Sequence, residues 1–291
     1  EYTIALIPLG GYVKMAGTID ESLDDKLTGA PDELTSKSRL QQAWVMSAGV
    51  IMNLILAVVV YAGISWSQGA IVPINDEPVV GIVSKGYPAD NIGLQHGDKI
   101  IRIDSEDIST WSQMTSLVHS RPGDSLSITW SREGFQFTDN IVPIVAKDVC
   151  DCRIIEFGLI GIAPVTEEKE IGVFAAVTNG LAITENNISK IYNSVCALVS
   201  GRAPFSDLGG PIMIAQLAGK SARAGFLPLL LFTAFISINL AFVNILPIPG
   251  LDGGHLLIIL LEGISRREFS VKARIRIQQV GMAFLMLLIV S

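Results

Sequence analysis

Two long stretches of the chain lack charged residues, and each is long enough to form a membrane-spanning helix. No charged residue occurs between Arg39 and Asp76, and within that gap residues 44–66 are apolar, with a tryptophan at each end. A second uncharged gap contains the apolar segment 226–246. Because a helix needs about 20 apolar residues to cross the hydrocarbon core, both segments are predicted spans.

A third uncharged run, residues 277–291, ends with the sequence before it reaches the length of a complete span. We therefore expect a membrane helix that continues beyond the last residue. The first residues, Glu1–Ile4, lack an initiator methionine and the basic and apolar regions of a signal peptide. We expect that the N-terminus is truncated as well.

The long polar region between the first two spans, about residues 69–223, changes character midway. Its first half contains short apolar runs and one alternating segment, which are typical of strands, and one short helical pattern. The strands are predicted at residues 79–83, 100–103 and 126–130, and the helix at residues 112–120. In the second half, apolar residues at helical spacing predict an amphipathic helix over residues 173–200. Gly209–Pro211 should then break the chain before a second short helix.

A short basic loop indicates the orientation of the spans. Residues 263–276 carry five basic residues, and short cytoplasmic loops are enriched in lysine and arginine. We therefore place this loop and residues 1–43 on the cytoplasmic side, and the long polar region on the opposite side. The basic residues of the loop are Arg266, Arg267, Lys272, Arg274 and Arg276.

Composition supports the membrane assignment. Hydrophobic residues make up 49% of the chain and charged residues only 17%, whereas a soluble domain has about 25% charged residues. The net charge of −7 argues against a nucleic acid partner, because phosphate binding needs clustered basic side chains. The expected partner is therefore the lipid bilayer.

The three cysteines are too few for a disulfide framework. Cys150 and Cys152 are two positions apart, and a bridge between such close neighbours is geometrically awkward. We expect Cys150, Cys152 and Cys196 to be free or partly buried thiols.

Residues 93–104 (GLQHGDKIIRID) resemble the core signature of PDZ domains. The two glycines of this segment allow a tight turn with unusual φ, and Asp98 can accept backbone N–H bonds in that turn. The resemblance implies a groove between the helix around residues 114–118 and the strand at residues 79–84, to which a peptide adds as a strand. The alternative is a generic small β-domain.

The most informative segment is Asn244–His255 (NILPIPGLDGGH). It ends an apolar span and puts the carboxylate of Asp252 at or near membrane depth, where an unpaired charge is costly. Two prolines and three glycines interrupt the helix, which is tolerated at that depth only where protein or a water-filled cavity satisfies the backbone. These features suggest a site. The alternative is an ordinary helix end with Asp252 at the membrane interface.

The pattern Asn-x-x-Pro-x-Pro-x-Leu-Asp-Gly-Gly-His resembles the third-ligand motif of site-2 proteases, in particular the bacterial RseP-like group. Residues 5–15 resemble the membrane-associated β-hairpin of that group, and residues 208–212 the turn after its periplasmic helix. Residues 48–53 resemble the small-residue and asparagine entry to its second helix, although the usual Gly-Pro is here Gly49–Val50. With the PDZ-like segment, the resemblance covers nearly the whole chain.

The resemblance implies an intramembrane zinc metalloendopeptidase. In the family, a His-Glu-x-x-His helix supplies two ligands and the catalytic base, and Asp252 would be the third Zn2+ ligand. Asn244 and Pro247 would help to bind the substrate or the reaction intermediate. Gly10 and Gly11 would lie in a hairpin that offers an edge strand to the substrate. The implied substrate is a transmembrane protein such as an anti-sigma factor, and the PDZ domain would act as a gate.

The sequence departs from the family at the decisive motif. It contains no His-Glu pair, so we assign no catalytic residue in it. One carboxylate cannot make a three-ligand catalytic zinc site, and we expect the missing helix to precede Glu1 and this chain alone to be inactive. We expect a structural role for His255. Two alternatives from other classes are a non-catalytic PDZ-containing membrane adaptor and a transporter with broken helices at an ion site.

Together, these observations predict an α+β polytopic protein of the bacterial cytoplasmic (inner) membrane, with transmembrane helices, a membrane-associated β-hairpin and one periplasmic PDZ domain. The predicted regions are a cytoplasmic-side membrane-associated β region (1–43), a transmembrane helix (44–68), a PDZ domain (69–148), a periplasmic linker with amphipathic helices (149–223), a transmembrane helix with the Asp252 motif (224–262), a basic cytoplasmic loop (263–276) and a truncated transmembrane helix (277–291).

Overall fold

The chain forms two compact units, one from residues 1–57 and 210–291 and the other from residues 58–209. The computed structural model describes residue 30 and residues 33–204, 210–266 and 269–290. The predicted hairpin at residues 5–15 lies outside the described residues. Each unit is considered by itself below.

Helices dominate the described part of the first unit, and both helices and strands build the described part of the second. The described helices are α1 (Arg39–Gln68), α2 (Pro88–Asn91), α3 (Trp111–His119), α4 (Val173–Val199), α5 (Pro211–Ala224), α6 (Phe226–Ile245), α7 (Asp252–Ser265) and α8 (Val271–Val290), with a short 3-10 helix at Leu34–Ser36. The described strands are β1 (Ala70–Pro73), β2 (Val80–Val83), β3 (Lys99–Ile103), β4 (Glu106–Asp107), β5 (Leu126–Arg132), β6 (Phe135–Ile141), β7 (Ile144–Cys150), β8 (Arg153–Leu159), β9 (Ile162–Pro164) and β10 (Thr166–Lys169).

Within the described residues, two helices, α1 and α6, are long and apolar enough to cross a membrane. They contain the two predicted apolar spans. Helix α1 begins at Arg39 and not at residue 44, because the polar residues before the apolar run are good helix formers. The third predicted span falls in α8, which is not one of these two helices, so that span stays a prediction.

The region at residues 224–262, predicted as a transmembrane helix that the Asp252 motif interrupts, is two helices. Helix α6 ends at Ile245, and α7 begins at Asp252. The segment between them contains Pro247 and Pro249, which have no N–H group to continue a helix. Asp252 therefore lies at the start of a new helix.

A four-stranded antiparallel sheet in the order β4–β3–β5–β6 lies at the centre of the second unit. The predicted strands correspond to β2, β3 and β5 and the predicted short helix to α3, so these predictions are confirmed. Alternating apolar side chains of β5 form the core together with Ile100 and Ile103 of β3, between which the pairing with β5 shifts register. Ile100, Ile103 and Ile128 are completely buried. This is the pattern of a sheet with one covered face.

The β domain continues past residue 148, where the predicted PDZ region ends. Strand β9 pairs antiparallel with β2, and β8 packs under α3 so closely that a Cβ at Gly158 would overlap the carbonyl of Val118. The rings of His119 and Phe157 also meet, with centroids 4.9 Å apart. The strand in close contact with α3 is therefore β8, and not residues 79–84 as predicted.

The glycine-containing turn before β3 is held by a buried ion pair. Asp98 is completely buried, accepts a hydrogen bond from the Gln95 N–H at 2.8 Å and pairs with the Arg132 guanidinium through two bonds of 2.7 Å. The same guanidinium donates to the carbonyl of Gly93. The hydrogen bonds with Asp98 raise the pKa of Arg132 above its ordinary value. Asp98 therefore joins the turn to β5, in agreement with its predicted acceptor role.

The predicted amphipathic helix is α4, and the predicted helix after the glycine break is α5, so both are confirmed. Helix α4 packs on the last part of α1 through small residues. A Cβ at Gly180 would lie only 2.8 Å from the backbone nitrogen of Ala62 and 2.9 Å from the carbonyl of Val58. Next to this contact, the Asn179 amide donates a hydrogen bond of 3.0 Å to Ser65.

The prediction that all three cysteines are thiols is wrong for two of them. Cys152 and Cys196 form a disulfide between the β7–β8 turn and α4, with Cα atoms 5.1 Å apart. Only Cys150 is a free thiol among the described cysteines, and it is exposed. The sequence did not indicate this pairing because the partners are separated by 44 positions, and their approach depends on how the hairpin packs against α4.

Replacing Asp98 with alanine should lower the free energy of unfolding by about 3 kcal/mol, because the substitution leaves the Arg132 guanidinium and the Gln95 N–H without their acceptor. Urea unfolding of the chain in detergent micelles measures this change. Tryptophan fluorescence reports on it because Trp130 lies in the core of the same domain.

The matched control is Asp107→Ala. Asp107 pairs with Arg102 on the surface, where both side chains are more than half exposed, and such pairs contribute less than about 1 kcal/mol. Equal losses in the two variants would contradict the role of Asp98 as an internal anchor.

Candidate functional site

The break between α6 and α7 is a compact turn. The Ile248 N–H donates to the carbonyl of Leu246 at 2.7 Å, and the Leu251 N–H donates to the carbonyl of Ile248 at 3.1 Å. Gly250 has φ +99°, a conformation that side chains with a Cβ rarely adopt. The sequence Pro-Ile-Pro-Gly thus removes helical hydrogen bonds and replaces them with turn hydrogen bonds.

Glycines bring neighbouring backbone segments into direct contact at this turn. A Cβ at Gly253 would overlap the carbonyl of Leu246, and a Cβ at Gly254 would overlap the carbonyl of Ile248. From the other side, Gly281 of α8 lies against the carbonyl of Pro249 with no room for a side chain. The backbone around the motif is therefore fixed by close packing.

Asp252 is the first residue of α7 and is half-buried. A negative charge is favourable at this position because the N-terminus of a helix carries partial positive charge. A Cβ at Gly49 of α1 would lie 3.5 Å from Oδ2 of Asp252, so the carboxylate lies directly over this glycine. The structure thus brings the Asp252 motif next to the predicted small-residue segment at residues 48–53.

Helix α6 is joined to α1 next to that contact. Ser237 donates a hydrogen bond of 2.9 Å to the main-chain carbonyl of Asn53, with the Asn53 side-chain oxygen at 3.3 Å. Ser237 was not predicted from the sequence. The available signal was a serine inside an apolar helix, since such a hydroxyl must find a partner.

The other predicted substrate-binding residues lie at the break or outside the described residues. Asn244 is half-buried in the last turn of α6, and Pro247 is exposed in the break. Among the described residues, no hydrogen bond joins Asn244 to Asp252. Gly10 and Gly11 lie outside the described residues.

A cavity of about 50 Å³ lies beside the motif. It is large enough for water, and its lining includes polar groups that could bind water. The polar and motif residues in its lining include Gln42, Pro249, His255, Arg274 and Gln278. His255 therefore faces an internal space next to the turn.

The described residues do not build a complete metal centre. No group of three His, Cys, Asp or Glu side chains that could hold a metal ion occurs among them, and a catalytic zinc takes three protein ligands. The carboxylate of Asp252 suits zinc as one oxygen ligand. Among the described residues, no hydrogen bond to this carboxylate is seen, and His255 interacts with it electrostatically.

Comparison with known proteins gives a consistent family. A family model described as peptidase family M50 matches residues 1–288. A Clostridium acetobutylicum protein with a provisional zinc metalloprotease name is 32% identical over 290 residues, which are 100% of this chain and 80% of that protein. The zinc metalloprotease RasP of Bacillus licheniformis and the regulator of sigma-W protease RasP of Bacillus subtilis are each 34% identical over 253 residues, which are 87% of this chain and 58% of each relative.

A solved structure aligns with part of the chain. The PDZ domain of an SdrC-like protein from Listeria monocytogenes is 22% identical to the aligned part, with a TM-score of 0.25. The alignment covers 30% of this chain and 86% of that domain.

Gly281→Ala should destabilise the chain by about 1–3 kcal/mol, because the new methyl group cannot fit against the Pro249 carbonyl without moving α8. Thermal unfolding in detergent micelles should therefore show a lower Tm. Gly219→Ala in α5 is the control, since a Cβ there meets only the end of the Arg223 side chain at 3.8 Å. This control should be neutral or stabilising by up to about 1 kcal/mol. An unchanged Tm in Gly281→Ala would contradict the close packing.

Proposed function

The chain belongs to peptidase family M50, and we propose that Asp252 serves as a zinc ligand of an intramembrane endopeptidase of the site-2 type. The observation that carries this proposal is the position of Asp252. It follows a helix of membrane-spanning length, begins a new helix after a broken segment and lies over Gly49 of another such helix. A carboxylate in that position is costly unless it has a cationic partner.

Zinc, when bound, would polarise the scissile carbonyl and activate a water molecule. Asp252 would hold the metal as one of three protein ligands. The family resemblance implies that the other two ligands and the base lie on a His-Glu-x-x-His helix, which is not among the described residues. The part played by this chain is therefore one ligand and the handling of the substrate.

Asn244 and Pro247 are the proposed substrate-binding residues near the ligand. Asn244 has a side-chain amide in the last turn of α6, and Pro247 leaves its neighbours' backbone groups without a helical partner. Both features would suit an unwound peptide that needs hydrogen-bond partners. Gly10 and Gly11 would supply an edge strand on the basis of the resemblance alone.

The β domain is proposed to be a PDZ domain that binds a peptide beside α3. Strand β9 pairs with β2 along one edge, and no other described strand pairs with it. A peptide could add to the other edge of β9, with α3 forming the opposite wall of the groove. In this position the domain would control which substrates reach the membrane part.

The Cys152–Cys196 disulfide supports placing this domain outside the cytoplasm. Disulfides persist in the periplasm and at cell surfaces, and they are rare in the reducing cytoplasm. This placement agrees with the basic loop between α7 and α8 on the cytoplasmic side. The chain would then be a multi-pass protein of a bacterial cytoplasmic membrane.

The proposed substrate is a membrane-spanning regulatory protein of the anti-sigma-factor type. One relative carries the name regulator of sigma-W protease, and cleavage of such a substrate within the membrane would belong to a stress response. The PDZ domain would exclude substrates that have not first been shortened outside the membrane.

A non-catalytic membrane adaptor is the second candidate. It is favoured by one observation: the described residues hold no group of three potential metal ligands. In that case the peptide groove would be the functional site, and Asp252 would have only a structural role.

Asp252→Asn, made in the complete gene product, should reduce cleavage of a transmembrane substrate at least about 100-fold. Loss of a group that merely orients a metal ligand already lowers metal affinity or activity by about 10–100-fold, and loss of the ligand itself should have a larger effect. The zinc content of the purified protein should fall as well. Gel analysis of the cleaved substrate and atomic absorption measure the two effects.

Asp139→Asn is the control for this experiment. Asp139 is exposed on β6 of the other unit, and this variant should cleave at the parent rate. Full cleavage and full zinc content in Asp252→Asn would reject the ligand assignment. A parent protein with neither zinc nor cleavage would favour the adaptor.

Thiol labelling in intact cells tests the placement of the domain. A membrane-impermeant maleimide should label Cys150 directly, and it should label Cys152 and Cys196 only after reduction, because those two form the disulfide. Labelling of all three thiols without reduction, and only after the membrane is opened, would place the domain in the cytoplasm.

A further inference from the structure

A buried acidic residue lies near the end of α7 opposite to Asp252. The side chain of Glu262 is only 5% exposed, although its neighbours on α7 are apolar. It follows Asp252 by ten positions, which is about 15 Å along a helix. A carboxylate in such surroundings must be paired, since an isolated buried charge is far too costly.

Glu262 is bonded to three other parts of the same unit. Its Oε1 accepts hydrogen bonds from Nη2 of Arg274 at 2.7 Å, from Nε of Arg274 at 3.2 Å and from the N–H of Phe269 at 2.8 Å. Its main-chain carbonyl accepts a short hydrogen bond from the Arg39 guanidinium. One residue thus connects α7 with α8, with the loop between them and with the first residue of α1.

The contacts between α1 and α7 have equal spacing on both helices. Arg39 meets Glu262, and Gly49 meets Asp252. Each pair of residues on one helix is ten positions apart, so the two helices run antiparallel with two contacts about 15 Å apart. Two such contacts fix both the translation and the tilt of α7 on α1.

Stability alone does not account for the Glu262–Arg274 pair. Replacing a buried ion pair with apolar residues is often neutral or stabilising, because desolvation offsets the attraction. The best-attested gain from a buried charged group is that it selects one arrangement of helices. Here the pair joins α7 to α8, at the end of α7 whose main chain meets Arg39 of α1.

We infer that Glu262 is a positioning residue: its side chain fixes the end of α7 to α8 and to the loop between them, and this keeps the Glu262 carbonyl on Arg39 and Asp252 at the proposed zinc site. The effect of this residue on catalysis rests on the proposed function. The effect of Glu262 on the contact between Asp252 and Gly49 is independent of the proposed function. The effect on catalysis and the effect on this contact can be measured separately.

Disulfide cross-linking measures the contact without any metal or activity. In the full chain with Cys150→Ser, the substitutions Gly49→Cys and Asp252→Cys should form a cross-link rapidly under mild oxidation, because the two side chains start in contact. Adding Glu262→Gln should slow the cross-link severalfold. Arg276→Gln, an exposed basic residue of α8, is the control and should leave the rate unchanged.

A second variant separates positioning from folding. Glu262→Met with Arg274→Met removes the buried charges together, and it should keep a Tm close to that of the parent. If Glu262 positions α7, the cross-link should still be slow in this variant. Parent-like cross-linking in both variants would overturn the inference.

The kinetic experiment uses the complete gene product. Glu262→Gln should lower kcat by about 100-fold with little change in KM, since a displacement of about 1 Å at a reacting group has that effect. The zinc affinity of the purified protein should fall as well, whereas a loss of folded protein would leave the zinc affinity of the remaining molecules unchanged. Arg274→Lys should restore most of the rate that Arg274→Gln loses.

The outcomes distinguish the two proposals. If Asp252→Asn stops cleavage while Glu262→Gln changes neither cross-linking nor kcat, the positioning role is wrong and the proposed function stands. If Asp252→Asn cleaves normally while Glu262→Gln slows the cross-link, the proposed function is wrong and the structural role of Glu262 stands.

Discussion

The break between α6 and α7 is the constraint on which the membrane-type unit depends. In apolar surroundings, every backbone N–H and carbonyl needs a partner, and the prolines at 247 and 249 remove helical partners. The turn supplies some of these through its own hydrogen bonds. Glycines at 253, 254 and 281 bring backbone close around it. The small residues around the motif are therefore a consequence of the broken helix.

The same constraint explains where the carboxylate of Asp252 is presented. Because the chain starts a new helix after the break, Asp252 lies at a helix N-terminus, where negative charge is favoured. Gly49 leaves the space above α1 open for it. A single helix through residues 224–262 would have placed this side chain mid-helix, without either advantage.

Local sequence patterns were sufficient to predict most helices and strands. They did not predict the contacts between residues far apart in the sequence. Hydropathy located α1 and α6, and alternation located β5, because burial on one face determines each pattern. The Cys152–Cys196 disulfide and the bond between Arg39 and Glu262 join residues far apart in sequence, so no local pattern contains them. The motif around Asp252 came from its resemblance to a family. Its contact with Gly49 required the packing of two helices.

Three carboxylates illustrate how the surroundings decide the role of an acidic residue. Asp98 and Glu262 are almost fully buried, and each is bonded to an arginine and to a backbone N–H of a neighbouring turn. Both are satisfied, and both hold a turn in place. Asp252 is half-buried at a helix start, and the described charged group that acts on its carboxylate is His255. Because no arginine or backbone N–H among the described residues donates a hydrogen bond to this carboxylate, its oxygens are open to a metal ion, which is the role proposed for it.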